Sequence, residues 1–387
     1  MRLPADILAD ADVGRVLSAL QAAGARVWLV GGAVRNALLG EPVADIDLAT
    51  DALPAEVTRL AEAAGLRAVP TGIEHGTVTV IAGGRGFEVT TLRRDVETDG
   101  RHAVVSFTAD LAEDAARRDF TMNALYAAPS GEVIDPVGGL PDLAARRLRF
   151  VGEPEARIRE DYLRILRFFR FLAQYGREAD PAAVAACAAL KPGLARIARE
   201  RIGAEMRKLL AALDPGPAVA LMDKTGVLDL LLPRPEPARL CALLEVEWSE
   251  ATAPHWPRRL AALAGDDAAE ALRLSKAEAR AQAILRQALA AGWSIDEAGF
   301  RLGAEMAVDL ALLRAAEGQP LPQGWRARIA QAAGAALPIS AADLTGLEGA
   351  AIGRGLRAAE TAWIASGFAM PAPALIDAAR LAAEETT

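Results

Sequence analysis

Two aspartates separated by one residue, Asp45 and Asp47, follow closely on a Gly-Gly-x-x-Arg turn in the stretch VWLVGGAVRNALLGEPVADIDLAT. Because side chains at i and i+2 of a β-strand point to the same side, the two carboxylates are expected to lie together. They would repel each other unless a cation sat between them. Carboxylates that leave room for water and phosphate oxygens are the usual protein ligands of Mg²⁺. The pattern therefore predicts metal-assisted chemistry on a nucleotide, with Asp45 and Asp47 as catalytic metal ligands; a surface turn or a helix cap is the alternative.

The glycines before this pair predict a phosphate site. Gly31 and Gly32 end an apolar strand and open a short helix, and backbone amides at a helix N-terminus attract phosphate. Arg35 would project from the first turn of that helix toward the same place. The sequence contains neither G-x-G-x-x-G nor G-x-x-x-x-G-K-[ST], so a Rossmann dinucleotide site and a P-loop are both disfavoured.

A third carboxylate usually completes a two-metal site, and Glu88 is the best local candidate. It lies in GFEVTTL, a segment expected to form a strand that pairs nearby. The alternative is a charge on an edge strand that faces solvent. The segment ARRDFTMNAL adds Arg118, which would suit a ligand phosphate or ribose, with Asp119 orienting it. A capping aspartate beside an ion pair is the alternative there.

A further set of charged residues occupies REDYLRILRFFRFLAQYG. Asp161 and Arg164 are i, i+3 neighbours, which would present an acceptor and a two-toothed donor to the edge of a base. The alternative is a solvated helix with intrahelical ion pairs. Arg167 and Arg170 continue the spacing of three, and each step drifts by about 60° around a helix. The three arginines are therefore not expected to share one role.

The surrounding periodicity predicts an α+β fold. We expect a helix up to Gly24, a strand over Val27 to Val30, a helix ended by Gly40, a second strand over Asp45 to Thr50, a helix over Pro54 to Ala64 and a hairpin turning at Gly83-Gly84-Arg85-Gly86. Nearly everything past residue 140 is rich in Ala, Leu, Arg and Glu, which are strong helix formers. An α/β head followed by helical segments is predicted.

Composition limits the class of protein. The chain has 387 residues, of which 52% are hydrophobic, and a net charge of −8. This composition indicates a globular protein of more than one core. With no apolar run of membrane-spanning length and an acidic N-terminus, we expect no membrane segment and a cytoplasmic location. The two cysteines, Cys187 and Cys241, imply neither a disulfide scaffold nor a zinc site. Residues 146–208 carry 15 Lys/Arg against 8 Asp/Glu, a basic stretch suited to nucleic-acid phosphates.

Several of these segments together resemble a known family. In order they are LVGGAVRNALLG…DIDLAT, HGTVTV, FEVTTLRRDVETDGRHAVVSF, RRDFTMNAL, DPVGGLPDLAARRLRFVG and EDYLRILRFFRF. They resemble the bacterial-type (class II) tRNA nucleotidyltransferase and poly(A) polymerase family over roughly residues 27 to 210. The resemblance implies a template-independent polymerase of the polymerase-β nucleotidyltransferase type. Its implied metal is Mg²⁺ and its implied partners are tRNA, CTP and ATP.

The resemblance also implies a role for each candidate residue. Gly32 and Arg35 would hold the triphosphate, and Asp45 and Asp47 would bind the Mg²⁺. Arg118 would contact the nucleotide, with Asp119 helping to select ribose. Asp161 and Arg164 would bind the base edge of CTP or ATP, and Arg167 and Arg170 would help with the position and charge of the nucleotide. The implied domains are a catalytic head over residues 1–145, a base-recognising neck over 146–212 and a tRNA-binding helical body and tail over 213–387. The sequence gives no prediction of the oligomeric state.

Two activities compete within the family, addition of A alone and addition of C-C-A to tRNA. The segment RRDVETDGRHAVVSF resembles the loop of members that add the final A, which favours full CCA addition. Asn36 stands where the family usually has Asp, and Tyr162 replaces a common Pro. The rivals from other classes are a non-catalytic RNA-binding homologue, which has no use for two adjacent acids, and a small-molecule nucleotidyltransferase, which needs no basic neck.

Overall fold

The computed structural model describes residues 1–99, 102–265 and 267–384. They form two compact units, Met1–Leu231 and Leu232–Thr387. The predicted body begins earlier, at residue 213, but the second unit begins at Leu232. Residues 216–231 belong to the first unit because their helices pack against the neck. The division of labour among head, neck and body stays a prediction.

The first unit contains a mixed sheet. Its strands are β1 (Val27–Val30), β2 (Asp47–Thr50), β3 (Arg67–Gly72), β4 (Thr77–Ala82), β5 (Arg85–Thr91), β8 (Tyr126–Ala127) and β9 (Val133–Ile134), in the order β3-β4-β5-β2-β1-β8-β9. Neighbouring strands are antiparallel, except that β2 and β5 are parallel. Two small sheets accompany it, formed by β6 (Arg93–Asp99) with β7 (His102–Phe107), and by β10 (Arg147–Leu148) with β11 (Glu178–Ala179).

Helices cover this sheet and continue into the neck. They are α1 (Ala5–Leu8), α2 (Ala11–Gln21), α3 (Gly32–Leu39), α4 (Pro54–Ala63), α5 (Leu111–Ala116), α6 (Gly139–Ala145), α7 (Pro154–Glu160), α8 (Leu163–Tyr175), α9 (Pro181–Leu190), α10 (Arg199–Leu210), α11 (Gly216–Lys224) and α12 (Leu228–Leu231). The predicted N-terminal helix is two helices, because Asp10 begins α2 by accepting from the N–H groups of Asp12 and Val13. The α+β class and the glycine turn before Arg85 are confirmed, whereas β3 and the β6–β7 hairpin were not predicted.

An aromatic cluster joins the head to the neck within this unit. Phe120 lies 5.0 Å from Phe150 and 6.2 Å from Phe168, measured between ring centroids. Phe150 stacks on Phe168 at 5.7 Å, and these three rings are fully buried. Offset and tilted aromatic pairs add to the free energy gained by burying their area. The cluster therefore anchors α8 against the segment that contains Arg118 and Asp119.

The second unit is helical throughout its described residues. Its helices are α13 (Pro237–Ser249), α14 (Trp256–Leu263), α15 (Ala268–Ala271), α16 (Lys276–Ala290), α17 (Ile295–Leu302), α18 (Ala304–Ala316), α19 (Trp325–Ala333), α20 (Ala350–Ala365) and α21 (Ala372–Glu384). One apolar core lies among α13, α14, α16, α18 and α19, and another lies where α20 and α21 pack together. No described helix has the length and apolarity that crossing a membrane requires.

A buried set of charges, which we call the body cluster, ties three helices of this unit together. It consists of Glu247, His255, Arg258, Arg259 and Asp309. Arg258 donates to Glu247 at 2.6 Å and to Asp309 at 2.7 Å, and Arg259 donates to Glu247 at 2.8 Å. His255 Nδ1 lies 2.8 Å from Asp309 Oδ2. Two carboxylates thus face two guanidinium groups in a site that excludes water.

Candidate active site

The strand pairing brings three acids to one end of the sheet. Ile46 and Leu48 are buried whereas Asp45 and Asp47 are exposed, but the strand begins at Asp47, so Asp45 lies just before β2 and not within it as predicted. Strand β2 runs parallel to β5 with Leu48 opposite Val89, which places Glu88 beside Asp47. Strand β5 lies between β4 and β2, so Glu88 is not on an edge strand.

Electrostatics at Asp47 favour the binding of a cation. Partial burial raises the pKa of Asp47, and the nearby carboxylates of Glu88 and Asp45 raise it further, against an opposing effect of Arg118. Oxygen ligands in this number suit a hard divalent ion such as Mg²⁺. In the part of the chain that the structure describes, no three Asp, Glu, His or Cys side chains converge as a ready-made metal cage. Asp45 and Asp47 fit the metal as a pair, Glu88 acts on Asp47 as a neighbouring charge, and its part as a third ligand stays a prediction.

The glycine turn has the conformation that only glycine adopts easily. Gly31 has φ of 66° and ψ of −121°, and its N–H donates to the carbonyl of Leu125 at 3.1 Å. Helix α3 starts at the next residue, Gly32. A Cβ added at Gly31 would lie 3.5 Å from Arg118 Nη1, so this guanidinium sits directly against the turn. The structure thus brings together Gly31 and Arg118, which the sequence analysis had treated as separate candidates for nucleotide binding.

Arg118 is fixed by a carboxylate that the sequence patterns above did not identify. It donates to Asp114 Oδ2 from Nη2 at 2.9 Å and to the Tyr126 hydroxyl from Nε at 3.0 Å. Burial on its own raises the pKa of Asp114, but Arg118, Arg117 and the Tyr126 hydroxyl outweigh it and lower that pKa to about 2. Asp114 lies four residues before Arg118, a spacing that predicts a helical pair. That signal was available in the sequence.

Arg35 does not project freely from the first turn of α3. It is buried, with its Cζ 3.8 Å from the centroid of the Tyr175 ring and 5.1 Å from that of Phe171. Its side chain donates to the amide oxygens of Asn36 and Asn123. Burial lowers the pKa of Arg35. The side chain still lies close to Gly32, whose added Cβ would be 3.7 Å from Arg35 Nη2.

Asp119 lies between the head and the neck helix α8. Its Oδ2 accepts from Arg167 Nε at 2.9 Å, and its Oδ1 accepts from Asn123 Nδ2 at 3.0 Å. Burial on its own raises the pKa of Asp119, but Arg167 and the hydrogen bonds from Asn123 and the Phe120 N–H lower it to about 2. Arg167 therefore positions Asp119, and Asn123 links Asp119 to Arg35.

Asp161 and Arg164 were predicted to lie on one helix, but in the structure only Arg164 is helical. Asp161 lies before α8 rather than within it; its carboxylate accepts from the Leu163 N–H at 3.0 Å and from Arg201 Nη2 at 2.7 Å. Arg164 donates to the Glu160 carboxylate and to the Arg157 carbonyl. The two residues are neighbours at the start of the helix, but each is held by a different partner, which intrahelical spacing did not predict.

The three arginines of α8 diverge as their spacing predicts. Arg164 pairs with Glu160, Arg167 with Asp119, and Arg170 with Glu205, the last at 2.5 Å. Arg170 is buried in the neck, and its partner Glu205 belongs to another neck helix, α10. The Phe171 ring is shared, with the Cζ atoms of Arg35, Arg167 and Arg170 at 5.1, 5.4 and 4.0 Å from its centroid.

Comparisons with known proteins fit this geometry. Residues 27–149 match the family model described as "Poly A polymerase head domain", and residues 178–239 match "Probable RNA and SrmB- binding site of polymerase A". The chain is 37% identical over 314 residues to the "CCA-adding enzyme" of Geobacillus thermodenitrificans, an alignment covering 78% of this chain and 76% of that relative. The chain belongs to the CCA-adding enzyme family.

The structural comparison supports this family at the level of the whole chain. The crystal structure of the Bacillus stearothermophilus CCA-adding enzyme in complex with CTP covers 92% of both chains with a TM-score of 0.71 and 30% identity. Other members of the CCA-adding enzyme family align over less. "CCA tRNA nucleotidyltransferase 1, mitochondrial" of Danio rerio is 44% identical over 206 residues, which are 51% of this chain and 47% of that protein. For that protein and three further curated relatives, the matching part of the chain spans about half of the relative's length.

Proposed function

We propose that the protein adds C, C and A to the 3′ end of tRNA from CTP and ATP, without a nucleic-acid template and with release of pyrophosphate. The observation that carries this proposal is the pair Asp45 and Asp47 at the strand end beside the Gly31–Gly32 turn. Relatives that are named CCA-adding enzymes support it, and so does the fold shared with a structure whose title names CTP. The tRNA 3′-hydroxyl would attack the α-phosphate of the incoming nucleotide.

The chain's own residues would prepare this attack. When bound, Mg²⁺ would neutralise charge on the phosphates and align the attacking and leaving oxygens. Asp45 and Asp47 would hold the metal, whose positive charge would offset the burial and the carboxylate repulsion that raise the pKa of Asp47. Glu88 is the candidate third ligand through its place beside Asp47. Positioning and electrostatics supply most of the catalysis in phosphoryl-type transfer.

The triphosphate would lie along the glycine turn. The N-terminal amides of α3 offer donors, and Arg118 Nη1 lies against Gly31 while Asp114 and Tyr126 hold the rest of its guanidinium. Arg35 would add a positive charge from its buried position between α3 and the neck helix α8. Because no carboxylate accepts a hydrogen bond from Arg35 in the described contacts, its charge is available to a phosphate.

Base selection would depend on the start of α8. Asp161 offers an acceptor and Arg164 a forked donor, which together match the edge of cytosine or adenine. In the structure their bonds go to Arg201 and Glu160. Reading a base would therefore exchange these protein bonds for bonds to the nucleotide. Arg167 would act through Asp119, beside the ribose, and Arg170 would hold the neck in shape through Glu205.

The basic stretch over residues 146–208 would contact the tRNA backbone, with the helices after it extending the contact. Double-stranded RNA is recognised mainly by shape and phosphate contacts, so affinity should fall as salt rises. Head, neck and body would then divide the work as catalysis, base choice and tRNA binding.

The alternative within the family is addition of A alone, which the description of the head-domain model keeps open. One assay separates the two activities. The full chain is given tRNA that lacks its last three nucleotides, with Mg²⁺ and with CTP, ATP or both, and the added ends are sequenced. CTP alone should give C-C and the mixture C-C-A. Addition of A runs would favour the poly(A) activity, and no addition would overturn both.

A further inference from the structure

We infer that Tyr175, the last residue of the neck helix α8, is a positioning residue for Arg35 and thereby sets the affinity of the site for nucleotide triphosphates. This inference rests on the proposed function, in which Arg35 contacts the triphosphate. Arg35 belongs to the head and Tyr175 to the neck, so the contact makes phosphate binding depend on where the neck helix ends.

The geometry places the guanidinium over the ring. Arg35 Cζ lies 3.8 Å from the Tyr175 centroid, which is closer than its 5.1 Å separation from Phe171. Arg35 is only 5% exposed. A cation over an aromatic face is attracted by the ring's negative face, and the attraction grows when water is excluded. Of these two aromatic rings, Tyr175 therefore lies nearer to the charge.

The hydrogen-bond partners of Arg35 are neutral, and the one carboxylate that acts on its charge among the described groups, Asp119, does so without a hydrogen bond to it. Asn36 accepts from Nε at 3.1 Å and from Nη2 at 2.8 Å, and Asn123 accepts from Nη1. Both acceptors are neutral amides. A carboxylate in either place would cancel the charge that a phosphate needs, whereas a ring face stabilises the cation and leaves it positive. The neck aromatic thus holds a buried arginine in a state that can still bind an anion.

The consequence is specific to phosphate binding. Leucine at position 175 would fill part of the volume but present no negative face, and the guanidinium would lose its orientation. Binding should weaken for CTP and ATP alike, because the triphosphate is common to both. The chemical step should change less, since Asp45 and Asp47 do not contact Tyr175 in the described contacts.

The test compares the full-length wild type with Tyr175→Leu, Tyr175→Phe and the matched aromatic control Trp248→Leu, whose indole is exposed in the second unit. Calorimetry measures Kd for Mg²⁺–CTP, Mg²⁺–ATP and inorganic triphosphate, and incorporation assays with the two nucleotides give KM and kcat. Tyr175→Leu should raise Kd for all three probes and KM for both nucleotides about tenfold, with a smaller change in kcat. Tyr175→Phe should recover most of the lost affinity, and Trp248→Leu should leave nucleotide Kd unchanged.

A double-mutant cycle excludes a merely structural effect. In an Arg35→Lys background, Tyr175→Leu should add less than about a twofold change, because the two side chains act as one unit. Full additivity, or equal losses from Tyr175→Phe and Tyr175→Leu, would overturn the inference. If the wild type binds CTP but incorporates nothing, the proposed function fails while the Kd comparison still decides the role of Tyr175. If the wild type binds no triphosphate, both proposals fail.

Discussion

The active site and the body cluster are both built from arginines and carboxylates, and they differ at Asp45, Asp47 and Arg35, since Arg118 and Asp119 of the site have partners of opposite charge as the cluster residues do. In the body cluster, Arg258 bridges Glu247 and Asp309, and Arg259 bonds the second oxygen of Glu247. In the site, Asp45 and Asp47 stand beside each other, and Arg35 bonds only neutral amides and rings among its described partners. Balanced buried charges indicate a structural role, whereas charges of one sign gathered together indicate that a ligand supplies the other sign.

The largest effect should come from removing an acid of the site. Asp47→Ala should reduce CTP incorporation by well over the roughly 10–100-fold that loss of an outer-shell metal partner costs. The melting temperature should stay the same or rise, because burial and the repulsion by Glu88 and Asp45 raise the pKa of Asp47 and make its ionised carboxylate unfavourable in the folded state. Incorporation assays and calorimetry on the same preparation measure both quantities.

The control for this variant is Glu56→Gln on the outer face of α4, which should change neither quantity. Retained incorporation in Asp47→Ala would end the metal-ligand assignment. A large drop in melting temperature would mean that Asp47 is a structural residue, and the contrast with the body cluster would disappear.

The body cluster should show the reverse pattern. Glu247→Ala would leave Arg258 and Arg259 buried without this carboxylate, and breaking a buried pair in this way typically costs about 3–5 kcal/mol in the free energy of unfolding. Urea unfolding followed by fluorescence measures the loss, while Kd for CTP should be unchanged in the folded protein. The exposed pair Glu297 and Arg301 provides the control, since Glu297→Gln should cost at most about 1 kcal/mol. A similar small loss for Glu247→Ala would contradict the structural role of the cluster.

A smaller effect is expected where a site arginine chooses between bases. Arg164→Ala should blur the preference for CTP and ATP over UTP and GTP by about 1–3 kcal/mol, the usual discrimination of a two-toothed contact with a base. Incorporation of each of the four nucleotides under competition measures this preference. Arg170→Ala is the comparison, because Arg170 pairs with Glu205 and should affect stability more than selectivity. An unchanged preference in Arg164→Ala would refute its part in base reading.

The smallest effect concerns pH and the edge of the body cluster. The hydrogen bond to Asp309 raises the pKa of His255, against partial burial and Arg258, with Glu305 as a further nearby acid. Since the folded pKa lies above the unfolded value, this stabilisation is complete below about pH 6.5 and is lost as pH rises through the folded pKa. Urea midpoints between about pH 6 and pH 8.5 should decline less in His255→Gln than in the wild type. Identical declines would exclude this contribution, and His75→Gln should match the wild type.

Local patterns in the sequence predicted much of the site. The burial of Ile46 between exposed Asp45 and Asp47, the turn at Gly31 and Gly32 that opens α3 and the end of α3 at Gly40 all depend on neighbours within a few residues. The choice of ion-pair partner was not predictable in the same way. Asp119 meets Arg167 and Arg35 meets Tyr175 only because the aromatic cluster docks α8 on the head.

The body cluster was missed for a related reason. Glu247, Arg258 and Asp309 come from three helices, and Ala/Leu-rich segments give no sign of which charges turn inward. Asp161 was misplaced inside a helix because continuous helical periodicity concealed the break between α7 and α8. Packing between distant segments decided each of these outcomes.

The backbone near Thr121 links helix α6 to the turn that holds Asn123. The Thr121 hydroxyl donates to Asp142 at 2.6 Å, and a Cβ at Gly139 would overlap the Thr121 carbonyl oxygen. Because of these two contacts, a movement of α6 would also move the turn that holds Asn123. A tilt of α6 would move Asn123 and, through its hydrogen bonds, Asp119 and Arg35. Asp119, proposed to lie beside the ribose, and Arg35, proposed to lie at the triphosphate, would then change position together.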